Sequence, residues 1–300
     1  MSTTPLLTVM GATGHTGSKI VRRLLGAGAR VRAIGRNPDK LAALASAGAE
    51  VLAGDSRDPA FLAQAFRGAD AAYTLLATDR QAPDYAARQD EEGEAIAAAL
   101  RACGVRRVVA LSSLGADVPE GTGVIAGLHR QEQRLRKLAG IDLLLLRPAS
   151  FFENLHDALG TIKEASMLAD TVAPDLAVPM IATDDIAAVA AEALLAREGT
   201  GVAVRELLGE RDISHREVAR LIGEAIGQPA LPYVQLTEAD MGEALVRAGL
   251  SPSFVALYVE MTRAFNEKRV GSREGRTPAN TTPTRFEDFV PELAAAYRRI

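Results

Sequence analysis

Residues 6–17, LLTVMGATGHTG, constrain the fold of this chain more than any other stretch. An uninterrupted apolar and β-forming run leads straight into Gly11, Gly14 and Gly17, the pattern of a short buried strand ending in a sharp turn. Glycine lets the backbone turn that tightly and approach a ligand, and a helix starting there presents free N–H groups to an anion. The spacing is Gly-x-x-Gly-x-x-Gly rather than the commoner Gly-x-Gly-x-x-Gly, so its surroundings must decide between a cofactor loop and a plain strand-to-helix turn. A nucleoside-triphosphate loop would end Gly-Lys-Ser/Thr. The order here, Gly17-Ser18-Lys19, argues against one.

The surroundings repeat the same unit. Ile20, Val21, Leu24 and Leu25 form one helical face, and residues 31–35 are a second apolar strand followed by a helix over 39–47. Strands over 50–53, 71–76, 105–111 and 143–146 alternate with helices over 59–66, 85–102 and 128–139. Continuous apolar strands separated by helices predict a parallel sheet covered on both faces, an α/β doubly wound fold of Rossmann type. Beyond Pro148 the rhythm loosens. Residues 151–159 and 183–195 read as helices, with Thr183 as cap, and Ser214 and Thr237 open two more with capping boxes. A strand over 233–236 and a last helix from Phe286 complete a smaller, mostly helical part. Two prolines make 173–179 a loop, and 271–283, rich in Gly, Arg, Thr and Pro, reads as a mobile linker. The expected division is a cofactor domain of residues 1–150 plus about 180–208, and a substrate-binding part of about 151–179 and 209–300.

Charge and composition remove several function classes. A net charge of -4 and the lack of a basic run give no footprint for nucleic acid or an anionic membrane. No stretch reaches the roughly 18 apolar residues of a membrane span, and the start MSTTPLLTVMG lacks the pattern of a secretory leader. A cytoplasmic protein is expected. The single cysteine, Cys103, excludes an internal disulfide and a multi-cysteine metal site, and no His, Asp and Glu cluster points to a metal.

Cofactor choice is read at the end of the second strand, where NAD binders place an acid about 20 residues after the motif. Gly35, Arg36 and Asn37 stand there instead. Arg36 suits a charge-assisted grip on the 2′-phosphate of NADP, with Lys40 one turn into the next helix as helper, so NADP(H) is expected over NAD(H).

The segments GATGHTG, GRNPDK, GDSRDP, LSSLGA, LRPASFFENL and TDDIAAVAAEAL together resemble the NmrA-like group of atypical short-chain dehydrogenases/reductases, along essentially the whole chain. The resemblance implies that the loop residues Gly11, Thr13, Gly14, His15, Thr16 and Gly17 hold the dinucleotide and that Asp55 and Ser56 lie near its adenine. It further implies that Leu76, Ala77 and Thr78 line the cofactor channel, and that residues 148–154, including Pro148, Phe151, Phe152 and Asn154, flank the nicotinamide and the substrate cleft.

The wider superfamily's proton relay, a Tyr followed four residues later by a Lys, is absent, because no tyrosine of this chain has that lysine. Alignment with related reductases that use a lysine in this region puts His129 at its position. A histidine there could protonate a carbonyl oxygen or hold substrate. Ser112 and Ser113 follow the fifth strand, where they could bond nicotinamide or substrate, and their setting is not a nucleophile elbow. The leading expectation is an NADP(H)-dependent oxidoreductase reducing a small quinone, enone or ketone. The rival, from a different class, is a non-catalytic NADP(H)-sensing regulator that binds a partner protein. An isomerase or dehydratase that uses bound cofactor transiently ranks last. Oligomeric state is open, with a homo-oligomer or a partner protein compatible with either reading.

Overall fold

The computed structural model describes residues 4–196 and 201–300. Residues 1–3, part of the start read for a leader, and 197–200, inside the predicted cofactor domain, lie outside the described residues. The chain alternates β1 (Leu6–Val9), α1 (Gly17–Gly26), β2 (Arg30–Gly35), α2 (Pro38–Ser46), β3 (Glu50–Ala53) and α3 (Pro59–Phe66). It continues with β4 (Ala71–Thr74), α4 (Tyr85–Cys103), β5 (Arg107–Leu111), α5 (Ile125–Arg136) and β6 (Asp142–Pro148). Local sequence sets these helix starts. Asn37, Asp58 and Asp84 each accept a backbone N–H from the first turn, and proline follows the first two at a position that needs no N–H.

After β6 come β7 (Ser150–Phe151), a 3-10 helix (Phe152–Ala158), α6 (Leu159–Ala165), β8 (Leu168–Asp170), β9 (Ala177–Ile181), α7 (Thr183–Leu195) and β10 (Val202–Leu207). The remainder is β11 (Asp212–Ser214), α8 (His215–Ile226), β12 (Tyr233–Gln235), α9 (Glu238–Arg247), α10 (Pro252–Asn266) and α11 (Phe286–Tyr297). Seven strands form one sheet in the order β10-β6-β5-β4-β1-β2-β3, every pairing parallel, which is an α/β Rossmann-like fold. Strand order reverses between β1 and β4, and the crevice outside their carboxyl ends is where such sheets bind ligands.

Strand alternation explains the two faces. Leu7, Val9, Ala71, Tyr73 and Val109 pack with α1, α2 and α7 on one side, while Ala72, Val108, Ala110, Leu143 and Leu145 pack with α3, α4 and α5 on the other. A third apolar cluster lies in the smaller part, where Phe152, Ile162, Ile213, Ile222 and Leu293 are buried together. No described helix is long and apolar enough to cross a membrane.

Several expectations need correction. Strand β9 overlaps the loop expected over 173–179, because residues 177–179 pair as its first half. Pro179 is tolerated because it stands where β9 changes partners, pairing with Asp212 of β11 just before Met180 pairs with Ser150 of β7. Residues 271–283 are pinned rather than a loose linker. Ser272 Oγ and Arg273 N–H donate to buried Glu206, Arg276 donates to the Gly209 carbonyl, and Asn280 is buried. Thr183 is the first residue of α7 and makes no capping bond. β6 runs through Arg147 and Pro148 because β10 pairs alongside to its end.

Candidate active site

The glycine turn is built as a cradle. Gly11 has φ 61°, a left-handed conformation that favours glycine, and its N–H-bearing neighbour Gly14 closes the turn by donating to the Gly11 carbonyl at 2.9 Å. A Cβ on Gly17 would stand 2.2 Å from that same carbonyl oxygen, so only glycine fits at the start of α1. Tyr73 from β4 is fully buried and donates to Thr16 Oγ1 at 3.0 Å, which fixes the loop from below. Burial pushes the Tyr73 phenol well above its ordinary range, so it stays a neutral donor. Thr16 makes no side-chain cap, and the N–H groups of His15 and Thr16 have no hydrogen-bond partner among the described residues. Free amides at a helix N-terminus fit a pyrophosphate.

Thr13, at the tip of this loop, lies beside the end of β2, where its methyl would be 3.5 Å from a Cβ on Gly35. Arg36 and Lys40 follow, both exposed and both without an ion pair among the described residues. Asn37 is committed to capping α2. Past β3, Asp55 is held by Arg57, whose guanidinium keeps the Asp55 carboxyl below the usual carboxylate range. Ser56 is buried and turns inward to donate to Glu92 of α4. The other oxygen of Glu92 accepts the Ala77 N–H at 2.7 Å, so Leu76, Ala77 and Thr78 start from a fixed point.

At the ends of β5 and β6 a second buried carboxylate organises the site. Glu132 takes a two-pronged ion pair from Arg147, at 2.8 Å and 2.6 Å, and the Ser112 hydroxyl at 2.6 Å. The Ser112 hydrogen is therefore spent, leaving its oxygen an acceptor only. Ser113 Oγ donates to the Leu114 carbonyl, and the Pro148 carbonyl accepts the Leu114 N–H at 3.0 Å, which stitches the two strand ends together. His129, one turn before Glu132 on α5, has Nδ1 2.8 Å from the Ala116 carbonyl. A carbonyl only accepts, so Nδ1 carries hydrogen and Nε2 is the nitrogen left for other work.

The segment after β6 divides. Phe151 is half-buried against the sheet core and Asn154 is exposed. Phe152 does not wall the cleft: it is buried in the smaller part, with ring centroids 5.1 Å from Phe286 and 5.5 Å from Phe289. Between them, Glu153 is buried and accepts Lys19 Nζ at 2.9 Å and the Thr183 N–H at 3.1 Å. It thereby joins α1 and α7 to the post-β6 segment. Sequence reading missed Glu92, Glu132, Arg147 and Glu153 as organisers. The usable signal was that Glu92 and Glu132 sit on otherwise inward-facing helix positions. Among the described residues no group of His, Cys, Asp and Glu is placed to hold a metal.

The chain is similar to known proteins over nearly its whole length. The chain is 29% identical to the (4-alkanoyl-5-oxo-2,5-dihydrofuran-3-yl)methyl phosphate reductase of Streptomyces griseus, over 97% of this chain and 99% of the relative. It is 27% identical to an NAD(P)H azoreductase of Xenophilus azovorans, again over 97% and 99%. The crystal structure of an NADPH-dependent quinone oxidoreductase from Escherichia coli complexed with NADPH superposes with a TM-score of 0.80 at 24% identity, covering 96% of this chain and 99% of that one, a likeness of fold. The NmrA-like family profile matches residues 3–289, and the chain belongs to that family.

Proposed function

We propose that this chain is an NADPH-dependent reductase of a small quinone, enone or ketone. Arg36 carries the reading, because an exposed guanidinium, without an ion pair among the described residues, stands at the end of β2 where an NAD binder places an acid. The relatives named as reductases over nearly the full chain support the reaction class. In this reading residues 1–150 with about 180–208 hold the dinucleotide, and about 151–179 with 209–300 close over the substrate.

The glycine cradle of Gly11, Gly14 and Gly17, with Thr13, His15 and Thr16, binds the pyrophosphate through backbone N–H groups at the α1 N-terminus. Arg36 and Lys40 grip the 2′-phosphate, Asp55 and Ser56 border the adenine, and Leu76, Ala77 and Thr78 guide the chain of the cofactor inward. Ser112 accepts from the carboxamide beside Pro148. The bound dinucleotide supplies hydride. Phe151 and Asn154 face the substrate, Ser113 turns its hydroxyl from the Leu114 carbonyl to the substrate oxygen, and His129 delivers the proton through Nε2, the nitrogen that its bond to Ala116 leaves free. A quinone needs little of that help, which accommodates the missing Tyr and Lys pair.

The test measures NADPH and NADH affinity, and oxidation of each against a panel of quinones, enones and ketones, for the wild type and Arg36→Ala. Loss of the 2′-phosphate grip should raise the NADPH Kd about 10-fold or more while leaving NADH nearly unchanged. Equal losses for both cofactors refute the NADPH assignment. Tight binding with no oxidation across the panel selects the sensor instead.

A further inference from the structure

We propose that Glu92 is the positioning residue that sets the width of the adenosine slot, a role that rests on the cofactor reading above. Strands β3 and β4 are not neighbours, because β1 and β2 lie between them in the sheet. Their trailing segments are nonetheless tied through one carboxylate. Glu92 is wholly buried on α4, with one oxygen receiving the Ser56 hydroxyl and the other the Ala77 N–H at 2.7 Å. Ser56 follows β3 and Ala77 follows β4, so the two bonds span the carboxyl ends of β1 and β2, over which an adenosine in this fold lies. A buried carboxylate is expensive unless its oxygens are satisfied, and nothing in the packing of α3 against α4 calls for one there. An apolar side chain would fill the space as well. What it would not do is hold two separate loops at a fixed distance.

Two kinds of replacement separate this role from plain structural support. Glu92→Leu fills the volume and abolishes both bonds. Glu92→Gln keeps an acceptor for the Ala77 N–H and presents an NH2 that the Ser56 oxygen can accept. Titration of purified full-length protein with NADPH and NADH, alongside thermal melting, is the assay. Glu92→Leu is expected to raise the Kd of both cofactors about 10-fold, shifting the NADPH to NADH ratio by less than about 3-fold, since the adenosine is common to both. Glu92→Gln is expected to bring both back to within about 3-fold of wild type. Should Glu92→Leu not fold, Glu92→Asp carries the test. One methylene shorter, it cannot reach both donors and must weaken both cofactors together. Wild-type affinity in Glu92→Asp or Glu92→Leu, or a loss in Glu92→Gln as large as in Glu92→Leu, overturns the proposal. Wild-type protein that binds neither cofactor overturns the cofactor reading itself, and this role with it.

Discussion

Gly17→Ala is the sharpest test of the cradle, because its effect follows from backbone geometry alone. The added Cβ would meet Gly11 O at 2.2 Å and Gly11 C at 2.7 Å, whereas ordinary contact begins at 3.4 Å. Neither partner is a flexible side-chain end, so the loop or the helix start must move by about 1.2 Å, an overpacking that typically costs about 1–3 kcal/mol. The higher helix propensity of alanine offsets at most about 1 kcal/mol of this. Movement of that size breaks at least one charge-assisted N–H bond to the pyrophosphate, worth about 1.5–3 kcal/mol, so the NADPH Kd should rise about 10- to 100-fold. Fluorescence titration with NADPH measures this, and a melting curve shows whether the fold survives. Gly26→Ala is the matched control: it lies at the other end of α1, and a Cβ there meets nothing within 4 Å. Its affinity should be that of the wild type and its Tm equal or higher. Gly17→Ala protein that binds NADPH as the wild type does would show that the turn is not the pyrophosphate cradle.

Two further outcomes are expected. His129→Ala should lower kcat for a ketone about 100-fold and for a quinone far less, with KM for NADPH unchanged, as read from NADPH oxidation rates; equal turnover of both substrates would remove the proton-donor role. Asp90 tests the pH dependence of the α4 to α5 contact. Burial alone would raise its carboxyl, but hydrogen bonds from Arg130 and Arg134, at 2.8 Å and 2.6 Å, outweigh it and hold it below the usual carboxylate range. A lowered carboxyl contributes stability that is present above its unfolded value and lost as pH falls through the folded one. Asp90→Asn should therefore cost about 1 kcal/mol or less at pH 7, after allowance for solvent screening, and the gap in Tm from wild type should shrink as the pH is taken below the usual carboxylate range. A gap that persists in acid refutes the assignment.

What could be read from sequence was what the chain encodes locally. The glycine turn, the caps at Ser214 and Thr237, and the strand-helix alternation of the first half are each specified within a few residues, and the structure keeps them. The organisers that escaped are long-range. Glu153 meets Lys19 across 134 positions, Glu92 meets Ser56 across 36, and Arg147 of β6 meets Glu132 of α5 across 15. Phe152 shows the same limit from the other side. It neighbours Phe151 in sequence, yet its ring belongs to a cluster completed by Phe286 and Phe289. Strand β9 was hidden because a proline is compatible with a strand only at a particular place in the pairing, which sequence does not reveal.

The position of β10 has a consequence for the order in which the chain can mature. It pairs with β6 through six consecutive residues and is the edge of the main sheet, yet it is separated from β6 by more than fifty residues of chain. During synthesis β6 emerges first and waits. Until residue 207 has left the ribosome, the row of backbone groups along Leu143–Leu146 stays unpaired beside a strongly apolar strand, the configuration most prone to capture another chain. The intervening segment, which contributes to the smaller part and supplies α7 to the main sheet, is thus a delay line in the folding of the sheet. A fragment ending near residue 150 would carry the whole glycine turn and still display an adhesive edge.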